Sequence, residues 1–235
     1  MKTYLLVHGA WHGAWCWRRI DEPLRRAGNP VHAPTLTGLA DRSHLLTRDI
    51  TLDTHIDDVA NLIRWHELSD VVLVGHSYAG MVISGVADRI HDRVRALVYV
   101  DAFVPENGQS SLDQMPPGRR AEHETRIREA GEGWFSPPLP AQRMGVTEPS
   151  DVACVDALCT PMPARCMTDP IKLTGAWRGV ARKTHILASA NPASAFLATH
   201  ERLRNDSGWR TESIACGHEI MITNPDELAD ILLDA

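Results

Sequence analysis

Residues 71–81 read VVLVGHSYAGM, and this stretch decides which fold the sequence predicts. Its four leading apolar residues are typical of a buried strand, and apolar residues at helical spacing continue from Met81. Ser77 stands at the turn between strand and helix, with the small residues Gly75 and Ala79 two positions to either side. A serine at such a turn adopts a strained backbone conformation that needs small neighbours, so the stretch is typical of a nucleophile elbow.

The usual elbow pattern is G-x-S-x-G, and here alanine stands at the fifth position with Gly80 after it. Alanine is small enough for the turn, so Ser77 is the candidate nucleophile. The alternative is a glycine-rich turn in which the serine is incidental. The strand on one side and the helix on the other favour the elbow.

Other short apolar runs resemble the one that precedes Ser77. They lack the alternation of apolar and polar residues that a half-exposed sheet shows, so they predict strands buried on both faces of a mainly parallel sheet. Segments with helical spacing separate them, which predicts a doubly wound α/β fold. The runs are Tyr4–Val7, Val31–Ala33, Ala96–Val100 and Ile186–Ala188, and the helical segments include the apolar face of Leu52, Ile56, Val59 and Ile63 and a last helix that begins at Pro225 with Asn224 as its cap.

One long segment interrupts this alternation. From about Glu106 to Lys183 the chain is rich in proline and polar residues and contains no apolar run of strand type. Such a segment is too long for a plain loop in a compact α/β protein. We therefore predict one α/β domain over residues 1–235, with a small, mostly helical cap at about residues 106–183. The cap is inserted after the strand that ends at Asp101 and covers one end of the sheet.

Composition and charge argue against several classes of protein. The chain has 235 residues, of which 43% are hydrophobic and 23% charged, as is ordinary for globular proteins. The formal net charge of −6 argues against a nucleic-acid partner. No apolar run approaches the roughly 18 residues of a membrane span, so no membrane partner is predicted. Five cysteines without a C-x-x-C pair indicate neither a zinc site nor a disulfide scaffold.

The first residues carry a weak signal about location. The apolar run at Tyr4–Val7 ends at His8 and is too short for the core of a signal peptide, which predicts a cytoplasmic location. The oligomeric state is left open by the sequence, a homodimer included.

A serine nucleophile needs a general base, and a histidine after the last strand is one arrangement in which such sites occur. His218 follows Gly217 in a loop between a predicted strand ending near Ile214 and the last helix. Of the twelve histidines, His218 alone has this position. His55, His66 and His185 are interpreted as packed or solvated side chains.

The site also needs donors for a developing oxyanion. The loop of Gly9, Ala10 and Trp11 follows the first strand, and Tyr78 follows the candidate nucleophile. We predict that the backbone N–H groups of Ala10 and Tyr78 point at the oxyanion. Taken alone, the first loop could be a simple tight turn, but together with Ser77 and a histidine base the oxyanion interpretation is favoured.

Residues 8–17, HGAWHGAWCW, resemble the first-strand loop of the plant methylesterase and hydroxynitrile lyase branch of the α/β-hydrolases and of related bacterial carboxylesterases. The resemblance spans the chain and includes residues 33–38 (APTLTG), the elbow, residues 101–105 (DAFVP) and the Gly217-His218 loop, but it is much weaker in the cap. It implies an α/β-hydrolase fold and ester hydrolysis.

The acid of the site departs from that family. In the family an aspartate normally follows the strand after the cap, whereas here residues 186–192 read ILASANP and contain no carboxylate. Asp101 ends the strand after the elbow helix, where the plant relatives have a small apolar residue. A buried aspartate needs a partner, so we predict that Asp101 orients His218. The alternative is that Asp101 caps a turn and the neutral Asn191 orients the histidine, while Asp206 is interpreted as surface.

The sequence therefore predicts a serine hydrolase that cleaves small hydrophobic or aromatic carboxylic esters through an acyl-enzyme intermediate. Its catalytic residues are Ser77, His218 and Asp101, and no metal ion or organic cofactor is implied. Aromatic side chains in the first loop, beside the Asp101 turn and in the cap predict an apolar pocket, although core packing explains some of them as well. These candidate substrate-binding residues are Trp11, Phe103, Trp134 and Trp177.

Two other functions stay in view. Hydroxynitrile lyases of the same branch carry a threonine after the first-loop histidine and a lysine after the catalytic one, and Gly9 and Glu219 stand at these positions. This difference favours the esterase. The second alternative is a ligand-binding protein with a vestigial triad, and the presence of all three candidate catalytic residues argues against it.

Overall fold

A computed structural model, which describes residues 1–190 and 194–235, has a six-stranded parallel sheet at its centre. Its strands are β1 (Thr3–Val7), β2 (Val31–His32), β3 (Val71–His76), β4 (Val94–Val100), β7 (Arg182–Ala188) and β8 (Arg210–Ile214), while β5 (Phe135–Ser136) and β6 (Met162–Pro163) form a separate antiparallel pair. The strand order is β2-β1-β3-β4-β7-β8.

Helices flank this sheet, and none of those described is both long and apolar enough to cross a membrane. The α-helices are α1 (Arg18–Arg26), α2 (Leu52–Trp65), α3 (Ala79–Ile90), α4 (Pro117–Ala130), α5 (Pro149–Leu158), α6 (Arg165–Thr168), α7 (Leu197–Arg204), α8 (Ile220–Thr223) and α9 (Pro225–Asp234). Short 3-10 helices cover Ala14–Trp17, Ala40–Leu45, His91–Arg93, Leu112–Gln114, Ala141–Met144 and Ala176–Gly179.

The predicted doubly wound α/β fold is confirmed. All six residues of β3 and all but one of β4 are buried, because helices cover both faces of a parallel sheet. The strand boundaries differ from the prediction mainly at β7, which begins at Arg182 rather than Ile186. Its polar first residues pair with β4 through their backbones, and a pattern of side-chain hydrophobicity does not detect such pairing.

The order of the strands creates the crevice in which the site lies. The chain passes from β1 outward to β2 and then returns to β3 on the other side of β1. At such a reversal the loops that leave neighbouring strands diverge, and the carboxyl ends of the strands border an open crevice. The loop after β1 and the turn after β3 therefore face each other.

The N-termini of two helices can be compared with their prediction from sequence. Helix α2 begins with a capping box between Thr51 and Thr54, and its predicted apolar face is buried. Helix α9 begins at Pro225 as predicted, but the Asn224 side chain makes no capping hydrogen bond. Asn224 has φ −132° and ψ 54°, which is outside the extended conformation from which a cap side chain usually reaches the first turn.

Residues 106–181, which we call the cap segment, connect β4 to β7 and contain short helices and the β5–β6 pair. Polar contacts fasten this segment to the body of the protein. Asp151 accepts two hydrogen bonds from the Arg19 guanidinium, at 2.7 and 2.9 Å. Asp88 on α3 accepts hydrogen bonds from the backbone N–H groups of Thr174, Gly175 and Trp177.

Candidate active site

The turn after β3 has the geometry of a nucleophile elbow. Ser77 has φ +55°, a left-handed conformation that non-glycine residues rarely adopt. A Cβ added to Gly80 would lie 2.0 Å from the backbone oxygen of Phe103, and one added to Gly75 would lie 2.8 Å from that of Ala79. Glycine is therefore needed at position 80, one residue beyond its usual place in the motif, while the alanine at position 79 fits.

A hydrogen-bonded series joins three side chains beside this turn. Ser77 Oγ lies 2.9 Å from His218 Nε2, and His218 Nδ1 lies 2.6 Å from Asp101 Oδ2. A carboxylate only accepts, so His218 donates from Nδ1 and Nε2 is left to accept the Ser77 hydroxyl proton. The structure thus brings together the predicted nucleophile, base and acid.

Asp101 is held firmly in this series. It is buried, has φ +41° at the end of β4, and its Oδ1 accepts a hydrogen bond of 3.0 Å from the backbone N–H of Ala188. Burial alone would lower the pKa of His218, but the hydrogen bond and negative charge of Asp101 outweigh burial and raise that pKa. The carboxylate therefore stabilises the charged imidazolium.

Two further residues were weighed against Asp101 in the sequence, Asn191 and Asp206. Asn191 lies outside the described residues. Asp206 is exposed after α7, and its Oδ1 accepts a hydrogen bond of 2.8 Å from the backbone N–H of Gly208. The interpretation of Asp206 as a surface residue agrees with this position.

Stacking adds to the fixed orientation of the histidine. The Phe196 ring lies parallel to the His218 ring within 8°, with centroids 5.4 Å apart, and the His76 ring lies 4.5 Å away. His76 also donates from Nε2 to the backbone oxygen of His218 at 3.0 Å. Neither aromatic neighbour was singled out from the sequence, because both contacts depend on loops that are distant along the chain.

The loop after β1 approaches Ser77 from the opposite side. Ala10 and Tyr78 both line the cavity above the serine, and among the described backbone hydrogen bonds neither of their N–H groups has an acceptor. Trp11, with φ +67°, turns the loop. Its indole N–H donates to the oxygen of Ser136, and its own oxygen accepts from Thr160, so the cap segment holds the loop in place.

A buried histidine, His55, contacts the side chain of Tyr78. His55 donates from Nε2 to the oxygen of Thr37 at 2.9 Å, so its Nδ1 accepts the Tyr78 hydroxyl proton at 3.0 Å. Burial lowers the pKa of His55 and raises that of Tyr78, and both side chains are therefore neutral. The sequence left open whether His55 is packed or solvated; the structure buries it, and its contact with Tyr78 is visible only in the fold.

A cavity of about 370 Å³ opens above Ser77. Trp11 and Phe103 line it, as predicted. The remaining lining includes methionine and leucine side chains and a polar group from the cap segment, none of which the sequence patterns singled out. These residues are Met115, Leu139, Met144 and Met167, with Arg119, His123, Gln142 and Arg143.

The prediction that Trp134 and Trp177 line the pocket needs correction. Neither is among the described residues around the cavity. Trp134 lies beneath the Arg48 guanidinium, 5.4 Å from its ring centroid, and Trp177 is buried against Trp209. Both serve packing of the cap segment on its surroundings, which composition alone does not distinguish from a role in a pocket.

Potential metal-ligand atoms of His76, His218 and Glu219 lie within 4.8 Å of one another. Both nitrogens of His218 already serve Ser77 and Asp101, so binding a metal there would break the hydrogen-bonded series. The absence of a metal or cofactor in the reaction stays a prediction.

Comparison with known proteins identifies the family to which the chain belongs. The model of the alpha/beta hydrolase family matches residues 4–231. The chain belongs to this family, which confirms the resemblance found in the sequence.

Curated relatives and solved structures extend the comparison. The chain is 39% identical to a carbendazim hydrolyzing esterase of Nocardioides sp. (strain SG-4G), over 99% of this chain and 98% of that protein. It is 30% identical to esterase PIR7B of Oryza sativa subsp. japonica, over 99% and 94% of the two chains. An extracellular alpha/beta-hydrolase from a Paenibacillus species superposes with a TM-score of 0.88 at 23% identity and covers 100% of this chain and 99% of its own.

Proposed function

We propose that this chain is a carboxylic ester hydrolase in which Ser77, His218 and Asp101 form a catalytic triad. The observation that carries the proposal is the continuous hydrogen-bonded series from Ser77 Oγ through His218 to Asp101 at the floor of a cavity. The esterase relatives named above support the same reaction class.

Acylation begins when Ser77 Oγ attacks the ester carbonyl carbon. The hydroxyl proton moves to His218 Nε2, and Asp101 stabilises the imidazolium that results. The N–H groups of Ala10 and Tyr78 form the oxyanion hole that binds the negative oxygen of the tetrahedral intermediate. When the intermediate collapses, the bond to the leaving oxygen breaks and His218 returns its proton to the alcohol.

Deacylation repeats these steps with water. His218 accepts a proton from water while the water oxygen attacks the acyl-enzyme carbonyl. Collapse of the second intermediate returns the proton to Ser77 Oγ and releases the carboxylic acid. Every proton that moves in this cycle is carried by Ser77 Oγ, His218, water or the leaving alcohol, so the proposed cycle needs no metal or organic cofactor.

The proposed substrates are small esters with a hydrophobic or aromatic part. Trp11, Phe103 and the methionines of the cap segment offer apolar contact, and the cavity of about 370 Å³ holds a molecule of modest size. Carbendazim is a natural second probe because a relative at 39% identity is named for hydrolysing it. The cytoplasmic location and the oligomeric state stay predictions.

The space around Gly9 favours hydrolysis over carbon–carbon lysis. A Cβ added to Gly9 would lie 2.8 Å from His76 Nδ1 and 3.0 Å from Ser77 Cβ. The threonine that the lyases carry at this position therefore does not fit beside Ser77 without movement. Glu219, at the position of their lysine, has the opposite charge.

The direct test compares hydrolysis of p-nitrophenyl acetate and butyrate with cleavage of mandelonitrile. We expect ester hydrolysis that disappears in Ser77→Ala, and no cleavage of mandelonitrile. Cleavage of mandelonitrile without esterase activity would identify a lyase. Absence of both reactions from a folded preparation would favour the ligand-binding alternative.

A further inference from the structure

Glu219, the residue after His218, is a buried carboxylate that the mechanism above does not use. Its side chain is 0% exposed, and neither carboxylate oxygen has a hydrogen-bond donor among the described residues. The nearest cationic group is the His12 ring, whose Nε2 lies 3.3 Å from Glu219 Oε2. A buried carboxylate is costly unless a positive charge compensates it, so the charge state of His12 is decisive.

The geometry around His12 favours an imidazolium. Its Nδ1 lies 2.7 Å from the backbone oxygen of Ala10, which can only accept, so Nδ1 carries a proton. Its Nε2 lies within ion-pair distance of the Glu219 carboxylate, where a proton on Nε2 compensates the buried negative charge. Burial alone would lower the pKa of His12, but Glu219 outweighs burial and raises that pKa well above its ordinary value.

A neighbouring histidine shows that burial in this region does not by itself produce a cation. His8 donates from Nδ1 to the oxygen of Gly9 and accepts at Nε2 from the N–H of Leu36, so it is neutral. Burial lowers its pKa to about 3. The difference between His8 and His12 is the carboxylate of Glu219.

The ion pair connects the loop after β1 with the loop after β8, whose relative position sets the geometry of the site. Glu219 is covalently next to His218, whereas His12 donates to the carbonyl of Ala10, a residue that lines the cavity. The two loops come from opposite ends of the chain, after β1 and after β8. Neither His12 nor Glu219 lines the cavity, so neither is a group that contacts substrate.

We propose that Glu219 and His12 are positioning residues, and that their buried ion pair fixes the oxyanion loop relative to the catalytic histidine. This inference rests on the proposed function, since it assigns the pair a role in ester hydrolysis. Holding reacting groups in place matters because a displacement of about 1 Å can cost about 10²-fold in rate.

The charged groups around His218 predict how its pKa responds when His12 or Glu219 is removed. His218 faces Asp101 from β4, His76 from β3, Glu219 from its own loop and His12 from the β1 loop. Glu219 in turn faces His12, His76 and His218, and His12 faces Cys159 of the cap segment at 3.8 Å as well. Glu219 raises the pKa of His218 and His12 lowers it, so loss of His12 alone raises that pKa, whereas loss of Glu219 also neutralises His12 and removes both influences.

Variants of the pair separate positioning from simple packing. We expect His12→Leu and Glu219→Leu each to lower kcat for p-nitrophenyl acetate about 10²-fold with KM nearly unchanged, and the double variant to be no slower than the slower single one. In Glu219→Gln the amide N–H can donate to Nε2 of a neutral His12, so this variant should stay within about tenfold of wild type. Glu227→Leu, at an exposed position on α9, is the matched control and should behave as wild type.

The pH profile of kcat/KM is the second measurement. Its acid limb should move to higher pH in His12→Leu, which leaves the charge of Glu219 uncompensated. Loss of Glu219 also neutralises His12, so Glu219→Leu and the double variant should share one acid limb. If a leucine variant fails to fold by near-ultraviolet circular dichroism, the corresponding glutamine variants His12→Gln and Glu219→Gln take its place, with the same expected limbs. Effects that multiply in the double variant, or a His12→Leu limb that does not move to higher pH, would overturn the proposal.

A third measurement needs no substrate. Nitrogen-15 NMR of the histidine rings at pH 7.5 should show His12 doubly protonated in the wild type and singly protonated in Glu219→Gln. A neutral His12 in the wild type would overturn the inference even if the protein hydrolyses esters. An imidazolium at His12 in a protein without esterase activity would instead refute the proposed function and, with it, the catalytic role of the pair.

Discussion

The carboxyl edge of the sheet and the cap segment contribute to the same cavity in different ways. At the sheet edge, Ser77 and Asp101 directly follow buried strands, and both adopt positive φ angles of 55° and 41°. The cap segment packs on the core through buried side chains such as Val155 and Trp177, and it lines the cavity with flexible side chains such as Met115 and Arg119. The sheet edge therefore provides fixed geometry, and the cap segment provides a surface that can vary.

This difference predicts where substitutions act. Catalytic groups need placement within a fraction of an ångström, which packed strands and their hydrogen bonds supply. Groups that only contact the substrate tolerate more variation, and they change which substrate is preferred. Changes at the sheet edge should therefore lower kcat, whereas changes in the cap segment should alter selectivity.

The largest effect should come from Ser77→Ala, which removes the attacking oxygen. We expect kcat for p-nitrophenyl acetate to fall by about 10⁶-fold, as for other serine nucleophiles, with the circular dichroism spectrum unchanged. A fluorophosphonate should add one mass tag to the wild type at Ser77 and none to the variant. A tag on another residue would contradict the assignment of the nucleophile.

The next largest effect should follow Asp101→Asn, because the amide would stabilise the wrong tautomer of His218. We expect kcat to fall by about 10⁴-fold. Asp206→Asn and Asn191→Ala are the controls and should stay within about tenfold of wild type, or about 1.4 kcal/mol in the barrier. Near-normal activity of Asp101→Asn together with a collapse of activity in Asn191→Ala would show that Asn191, and not Asp101, orients His218.

The pH dependence tests how Asp101 acts. His218 must be neutral to accept the Ser77 proton, and its pKa is raised above 6.5, so kcat/KM should fall as the pH drops through a value above 6.5. In Asp101→Asn the raising influence is lost while burial remains, and the acid limb should move to lower pH. A limb that does not move would show that Asp101 does not set the charge of His218.

The smallest effect should come from the cap segment. Met115→Ala removes a side chain that lines the cavity, and we expect the ratio of kcat/KM for p-nitrophenyl butyrate and acetate to change by about tenfold or less. Trp134→Ala is the matched control, since its ring lies beneath Arg48 away from the cavity, and its ratio should match the wild type. The reverse outcome would show that Trp134 reaches the substrate and that the cavity is lined differently.

Local patterns in the sequence were sufficient for the parts of the site that one strand and one turn create. The elbow at Ser77 and the loop at His218 each depend on a few consecutive residues, because a buried strand, a small neighbour and a tight turn all have local signatures. Asp101 was singled out as a charge at the end of an apolar strand, but only together with the family resemblance, which indicated the loop where an acid is usual and is here missing.

Only the tertiary structure decided which side chains surround the cavity and which charges they carry. Trp134 and Met115 belong to one segment, and their positions depend on how that segment packs on the rest of the chain. The charge of His12 likewise depends on Glu219, which lies near the other end of the sequence. The physical reason is that a pKa and a cavity wall are set by neighbours in space, whereas a turn is set by neighbours along the chain.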